Sequence, residues 1–433
     1  MQSRNGSLLN LLAGCGLLLG VVSGPASAQL AGPEFQVNTY TPSFQRTAAV
    51  AADSGGNFVV VWETPVLASD RVSGQRFDAQ GTMLGGEFPA NSYTSSEEYP
   101  ALVSDSEGNF VIAWQSYLGY GASFGIFGHR FDSVGVPTSS VFQVSTYSPG
   151  AQQYPAMAST SSGAFVVVWE SEGQDGSGYG VFGRLFNSTG QAIGGEFQVN
   201  SYTTGYQFAP AVAVANSGSF IVVWATNGQD SATLDLRAQR FDTAGTKAGS
   251  EFRINSYTTG HQQSPAVAVD GSGTFTVVWE STGQDGSAGG VFGRRFSSVG
   301  VPLGGEFRVN TTTLNTQGAP SIAASASGDF VVVWEGFGQD GSDGAIVGRR
   351  FHSAGSPAGS EFLVNTFTTG WQQDPSVASD GSGDFVVVWS SMDQDGSTSG
   401  VFGQRLANSP LSDGFESGDP CAWSSVLGGG TCP

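Results

Sequence analysis

Tryptophan recurs at positions 62, 114, 169, 224, 279, 334 and 389, spaced 52 residues once and then 55 residues five times. A period in the tens of residues marks one supersecondary unit copied along the chain. The clearest copies open on Glu196-Phe197-Gln198-Val199-Asn200, Glu251-Phe252-Arg253-Ile254-Asn255 and Glu306-Phe307-Arg308-Val309-Asn310. Each continues through a proline, an apolar run ending in Trp, a Gln-Asp-Gly loop and a segment resembling Val-Phe-Gly-Arg-Arg-Phe. A chain of 433 residues would ordinarily divide into two or three domains. The repeats instead draw residues 34–406 into one body.

The fifth unit shows how a copy folds. Pro265–Val269 predicts a first strand, followed by the turn residues Asp270-Gly271-Ser272-Gly273. A β-branched and aromatic second strand over Thr274–Glu280 leads through a glycine-rich loop to a third strand around Gly290–Phe296. A fourth covers Glu306–Asn310. Four short strands with turns at regular spacing predict an all-β blade. The second strand carries no polar face: in Phe165-Val166-Val167-Val168-Trp169, alternate residues point to opposite sides and all are apolar. Both sides must therefore be covered, as happens when blades stack around an axis. Each large side chain fully buried there contributes about 1.5–3 kcal/mol, so the tryptophans read as core.

The chain enters on a fourth-strand motif, Glu34-Phe35-Gln36-Val37-Asn38, and leaves the seventh unit after a third strand, Val401–Leu406. The expectation is a seven-bladed β-propeller whose N-terminal strand completes the last blade and hides both edges. Immunoglobulin-like units would need nearer ~100 residues each.

Lys and Arg number 16 against 36 Asp and Glu, a formal charge of −20, and Lys247 is the single lysine. Such a surface repels phosphate backbones, which argues against nucleic-acid binding and suits a soluble extracytoplasmic protein. Residues 1–28 read as a secretory signal: Arg4, an apolar run from Leu8 to Val22, and the small-residue site Ala26-Ser27-Ala28. A second reading is a lipoprotein signal at Leu12-Ala13-Gly14-Cys15. The apolar run continues through Leu17-Leu18-Leu19, which favours ordinary cleavage and release over anchoring. No later apolar run is long enough to span a bilayer. Residues 407–433 form a tail, where Cys421 and Cys432 are expected to pair as one local disulfide.

Two polar elements repeat on one predicted face. The first is the column Gln45, Glu97, Gln152, Gln207, Gln262, Gln317 and Gln372, placed to ring the mouth of a central channel. These amides either cap neighbouring loops or meet a polar ligand. One residue earlier stands a variable column: Phe44, Ser96, Ala151, Tyr206, His261, Thr316 and Trp371. Exposed rings beside amides suit carbohydrate recognition, the rings stacking on apolar sugar faces and the amides meeting hydroxyls. Packing of these rings against adjacent loops is the plainer alternative. The second element is the Gln-Asp-Gly loop, marked by Asp175, Asp230, Asp285, Asp340 and Asp395. Calcium needs about six to eight oxygens, and each loop supplies one Asp, joined by Asp343 or Asp393 in two of them, with serine and backbone oxygens. Asp-Gly as a turn former accounts for the same recurrence.

A column of Arg76, Arg130, Arg240, Arg295, Arg350 and Arg405, interrupted by Leu185, reads as partners for acidic residues such as Glu63, Glu170, Glu280 and Glu335. His129, His261 and His352 occupy unrelated positions, and no Gly-x-Ser-x-Gly, His-Glu-x-x-His or Cys-x-x-Cys motif occurs. Channel carboxylates acting as an acid–base pair are the remaining catalytic reading.

The unit Glu-Phe-x-Val-Asn-x-Tyr-Thr-Thr-Gly-x-Gln, then Phe-Val-Val-Val-Trp, Gln-Asp-Gly-Ser and Val-Phe-Gly-x-Arg-Phe resembles a repeat of large secreted or surface proteins of bacteria, some carrying hemolysin-type calcium-binding arrays. The resemblance covers nearly all of residues 34–406. It implies export and adhesion or calcium association, and carries over no established ligand. The Gly-Gly-x-Gly-x-Asp array of the calcium-binding members is absent here. The tail, Ser412–Asp419 with Ala422-Trp423-Ser424, resembles a C-terminal segment of other exported bacterial proteins, implying sorting or anchoring. The expected function is a non-enzymatic binding propeller with lectin-like recognition of glycans. A scaffold for protein partners is the alternative, and a hydrolase or lyase a third reading.

Overall fold

A computed structural model describes residues 29–66, 69–90, 96–117, 123–229 and 233–407. The signal segment, the tail with Cys421 and Cys432, and Asp230 lie outside the described residues. Seven antiparallel sheets stand around an axis, one per tryptophan, and the chain is a seven-bladed β-propeller. In the fifth blade the strands run Gln262–Val269, Phe275–Thr282, Gly289–Phe296 and Phe307–Arg308, paired in that order. The first strand of each blade lies against the first strands of its two neighbours, so these seven line the axis.

Closure follows the expected offset. Gly400–Ala407 is the third strand of the seventh blade, and Phe35–Gln36 pairs with it at Phe35↔Gly403 and Gln36↔Phe402. Gln29–Leu30 extends the same edge, with Gln29 opposite Ala407.

The second strands are buried on both sides, and all seven comb tryptophans are at most 1% exposed. Aromatic side chains tie the blades together. Phe275 stacks on Phe296 within its blade at 5.1 Å, and Phe252 of the preceding blade tilts against Phe296 at 5.9 Å. The same arrangement joins Phe197 to Phe220 and Phe241. Offset and tilted rings are the favoured aromatic geometry.

Outside the third blade, where the fourth strand runs Ala192–Gln198, the fourth strands are shorter than expected: Phe307–Arg308 replaces the predicted Glu306–Asn310. The asparagine explains the difference. Asn310 turns its side chain into the ladder, and Val291 N–H donates to Asn310 Oδ1 at 2.8 Å. Asn38, Asn200, Asn255 and Asn365 do the same for Val401, Val181, Leu236 and Ile346. A side-chain carbonyl thus substitutes for a backbone one, ending the strand with its donor satisfied.

Candidate functional site

The inner strands begin, and the Gln-Asp-Gly loops close, on the same end of the propeller, as expected. Every inner strand carries a bulge two residues after the glutamine column. Thr47, Tyr99, Tyr154, Ala209, Ser264, Ala319 and Asp374 all have φ between 45° and 55°, and pairing with the second strand shifts register there. A bulge bends a strand and re-aims the extra side chain. The ring of bulges therefore presents one variable residue per blade at the channel mouth.

The bulge amides are held from the preceding blade by the residue after Trp. Tyr99 N–H donates to Glu63 at 2.6 Å, Ala209 to Glu170 at 2.7 Å and Asp374 to Glu335 at 2.6 Å. Ala319 donates likewise to Glu280. At the junction between the second and third blades Gln115 takes the same part, accepting from Tyr154 N–H at 3.0 Å. Burial pushes the Glu170 and Glu335 carboxyls up to about 7. It also raises Glu63 and Glu280, against the bonds each accepts. These carboxylates clamp blade to blade. The arginine column does not serve them. Arg76 donates to the carbonyls of Ser133 and Leu84, Arg240 to Val299 O and Arg350 to Ala407 O, so three of these arginines bind carbonyls of the next blade. Carbonyl partners leave no trace in a sequence. Arg46 forms ion pairs with Glu63 at 2.9 Å and with Asp70 at 3.9 Å.

The glutamine column, expected either to cap loops or to face ligand, is enclosed and caps: the Nε2 groups of Gln45, Gln207, Gln317 and Gln372 donate to the carbonyls of Pro42, Thr204, Leu314 and Thr369 in the preceding loop. Gln45, Gln152, Gln207, Gln262, Gln317 and Gln372 are each 0–1% exposed. The Nε1 groups of Trp169, Trp279 and Trp334 donate to Gln152, Gln262 and Gln317 at 2.8, 2.8 and 3.2 Å. Gln45, Gln207 and Gln372 accept instead from Asn38, Asn200 and Asn365. An indole N–H buried in an apolar blade needs an acceptor. In these three blades the amide meets that need, and in all six it is turned away from solvent.

The loop aspartates are committed too. Asp285 Oδ1 accepts from Ser287 N–H at 3.0 Å, and Oδ2 from Asn310 at 3.2 Å. Asp175, Asp340 and Asp395 repeat both bonds with Ser177, Ser342 and Ser397 and with Asn200, Asn365 and Asn38. Among the described residues no three His, Cys, Asp or Glu side chains converge as metal ligands. With both oxygens of each described loop aspartate already accepting N–H bonds, and a second carboxylate in the sixth and seventh loops only (Asp343 and Asp393), the loops do not fit calcium.

The variable column is where rings reach solvent. Phe44 and Tyr206 are 45% and 52% exposed, His261 is exposed and Trp371 half-buried. Each ringed residue except His261 bridges the start of the preceding blade's third strand: Phe44 with Ser399, Tyr206 with Tyr179 and Trp371 with Gly344. Trp371 also meets Phe337 edge-on at 5.0 Å. Beside this pair lies an open groove of about 290 Å³ lined by Leu314, Asn315 and Phe337. Sequence reasoning passed over Tyr99, Tyr154, Tyr179 and Arg46. Tyr99 and Tyr154 are 37% and 40% exposed at the mouth, with ring centroids 4.6 Å apart. The available signal was the residue before the proline of six repeats, which varies among Tyr, Ala, Ser and Asp.

No protein-family profile and no curated protein matches the chain. Solved structures do. A polysaccharide lyase, an ulvan lyase bound to -[GlcA(1-4)Rha3S]-, superposes with TM-score 0.55 at 10% identity, covering 90% of this chain and 100% of its own. A protein of unknown function from Dyadobacter fermentans gives 0.53 at 10% identity, over 86% and 97%. The propeller domain of the Trilobed protease from Pyrococcus furiosus gives 0.51 at 9% identity, over 86% and 95%. At such identities the likeness carries the fold alone. No helix among the described residues is long and apolar enough to cross a membrane.

Proposed function

We propose that this is an exported binding propeller, non-enzymatic and lectin-like, recognising glycans on the face that holds the channel mouth and the blade junctions. The observation that carries the reading is the set of half-exposed rings there: Phe44, Tyr99, Tyr154, Tyr206 and Trp371. Each is fixed on a rigid strand start or bulge, and aromatic faces on rigid supports stack on sugars at little cost in ordering. The buried glutamines and aspartates support the site indirectly, by holding the loops on which these rings stand. The four clamping glutamates Glu63, Glu170, Glu280 and Glu335 are occupied by bulge amides, which favours binding over acid–base chemistry.

A scaffold for protein partners is favoured by a different feature. Hairpins between third and fourth strands expose Val134, Val299 and Val301 at 63%, 64% and 57%. A glycan-array screen of the purified chain separates the readings. Binding weakened by Tyr206→Ala or Trp371→Ala supports the glycan site. A blank array, with retained protein capture that depends on Val134 and Val299, supports the scaffold.

A further inference from the structure

The rings are not distributed evenly around the axis, and the imbalance specifies what the face can hold. Blades two to four carry Tyr99, Tyr117, Phe124, Tyr154, Tyr179 and Tyr206. At matching positions blades five and six carry Ser264, Gly289, Ala319, Thr316 and Gly344, with His261 in place of Tyr206 and Phe337 in place of Tyr117. The rings form linked pairs. Tyr99 and Tyr154, bulge residues of adjacent inner strands, meet at 4.6 Å, and Tyr179 and Tyr206 lie 6.0 Å apart across the next junction. Tyr179 OH donates to Gln153 at 3.4 Å, the residue before Tyr154, which joins the pairs. Tyr117 and Phe124 flank the arc in blade two at 5.6 Å. The rings thus step outward from the channel mouth at Tyr99 to the blade junction at Tyr206, and Tyr99, Tyr117, Tyr154 and Tyr206 are each 37–52% exposed.

The charges beside this arc are negative. Glu98 precedes Tyr99 and Glu172 pairs opposite Tyr179 across the strand ladder, while the Glu63 charge is paired with Arg46 and burial favours the protonated form of Glu170. Arg46, on the neighbouring inner strand, is already neutralised by Glu63 and Asp70. A ligand bearing uronate or sulfate groups would meet uncompensated like charge, on a chain whose formal charge is −20.

We infer that the tyrosine arc of blades two to four is an extended subsite for an uncharged oligosaccharide, lying from the channel mouth towards the rim with successive sugar rings stacked on Tyr99, Tyr154 and Tyr206. The inference rests on the glycan reading above and deepens it. It departs from the anionic glycan bound by the ulvan lyase that shares the fold. Edge and face contacts supply apolar stacking, while tyrosine hydroxyls and Gln153 meet sugar hydroxyls.

The test is calorimetric titration of the full chain with neutral ladders of glucan, xylan, mannan and chitin type, two to six units long. Oligogalacturonates of equal length run beside them. Affinity for a neutral ladder should rise with length. Tyr154→Ala and Tyr206→Ala should each lose about tenfold, with a smaller loss for Trp371→Ala. Alanine is compatible with the left-handed bulge, since Ala209 holds φ 50 in the next blade. Tyr154→Phe should retain stacking, and Val299→Ala, on a distant hairpin, should change nothing. Tighter binding of oligogalacturonate, affinity independent of length, or a loss concentrated on Trp371 overturns the arc and leaves the glycan reading standing. Silence from every neutral ladder also overturns the arc, and a blank array with it removes the glycan reading as well.

Discussion

Replacing Glu170 by glutamine should make the protein more stable at neutral pH, and the structure explains why. Glu170 accepts the bulge N–H of Ala209 at 2.7 Å and is 7% exposed. Gln115 makes the equivalent bond to Tyr154 at 3.0 Å, so an amide of the same length already performs the task one junction away. Burial raises the Glu170 carboxyl from 4.5 to about 7. Below the lower value it is protonated in both folded and unfolded chains and costs nothing. Between the two values the folded chain keeps a proton the unfolded chain has lost, so stability falls as pH rises. Above the upper value the full penalty of a buried charge is present. Glutamine carries no charge and escapes it. The gain for Glu170→Gln is therefore near zero at pH ~4 and reaches about 3 kcal/mol at pH ~8, taking about 1.36 kcal/mol per pKa unit. An unfolding entropy of about 2 cal/mol/K per residue makes each kcal/mol worth roughly 1 °C in a chain of this size. Melting followed by circular dichroism at both pH values should show Tm raised by about 3 °C at the higher pH only. A variant destabilised equally at both pH values would falsify the argument, because the carboxylate would then be contributing attraction that an amide cannot supply.

Gln152→Ala should cost about 1–3 kcal/mol by orphaning the buried Trp169 Nε1, read as a lower denaturation midpoint at unchanged slope; no shift would mean that water takes over the acceptor role. Phe35→Ala removes a ring tilted between Phe58 and Phe77 and should cost about 3–5 kcal/mol, with faster proteolysis at the closing blade; uniform digestion across blades would contradict the closure geometry. Since the loop aspartates are filled by N–H donors, Tm should be equal in calcium and in EDTA, and a rise of several degrees with calcium would show that these loops rearrange to bind it.

The architecture was legible because apolar strands, turn residues and the Trp spacing all recur together, so seven copies vote for one pattern. The glutamines were placed on the right face, and of their two readings the capping of loop backbone holds, while the indole partner was not foreseen. Each stands 17 residues before its tryptophan, as Gln152 and Trp169 do. That constant spacing was the visible hint that an indole N–H would be the partner. The arginines were assigned acidic partners because sequence displays side-chain charge and not the carbonyls of the next blade. Tyr99 and Tyr154 escaped notice because a bulge is a backbone event. An ordinary strand would have alternated these residues into a wall, and only the left-handed turn at φ 52 and 51 brings them to the mouth.

The pairing of Phe35 with Gly403 and of Gln29 with Ala407 also sets an order of assembly. The chain's earliest strand finds its partner only after the last blade has been synthesised, so each nascent molecule carries an unmated edge for nearly the whole of translation. A product truncated before Gly400 would keep that edge permanently. Such an edge is open to pairing with whatever strand edge it meets, so incomplete chains should be aggregation-prone while full-length chains close on themselves.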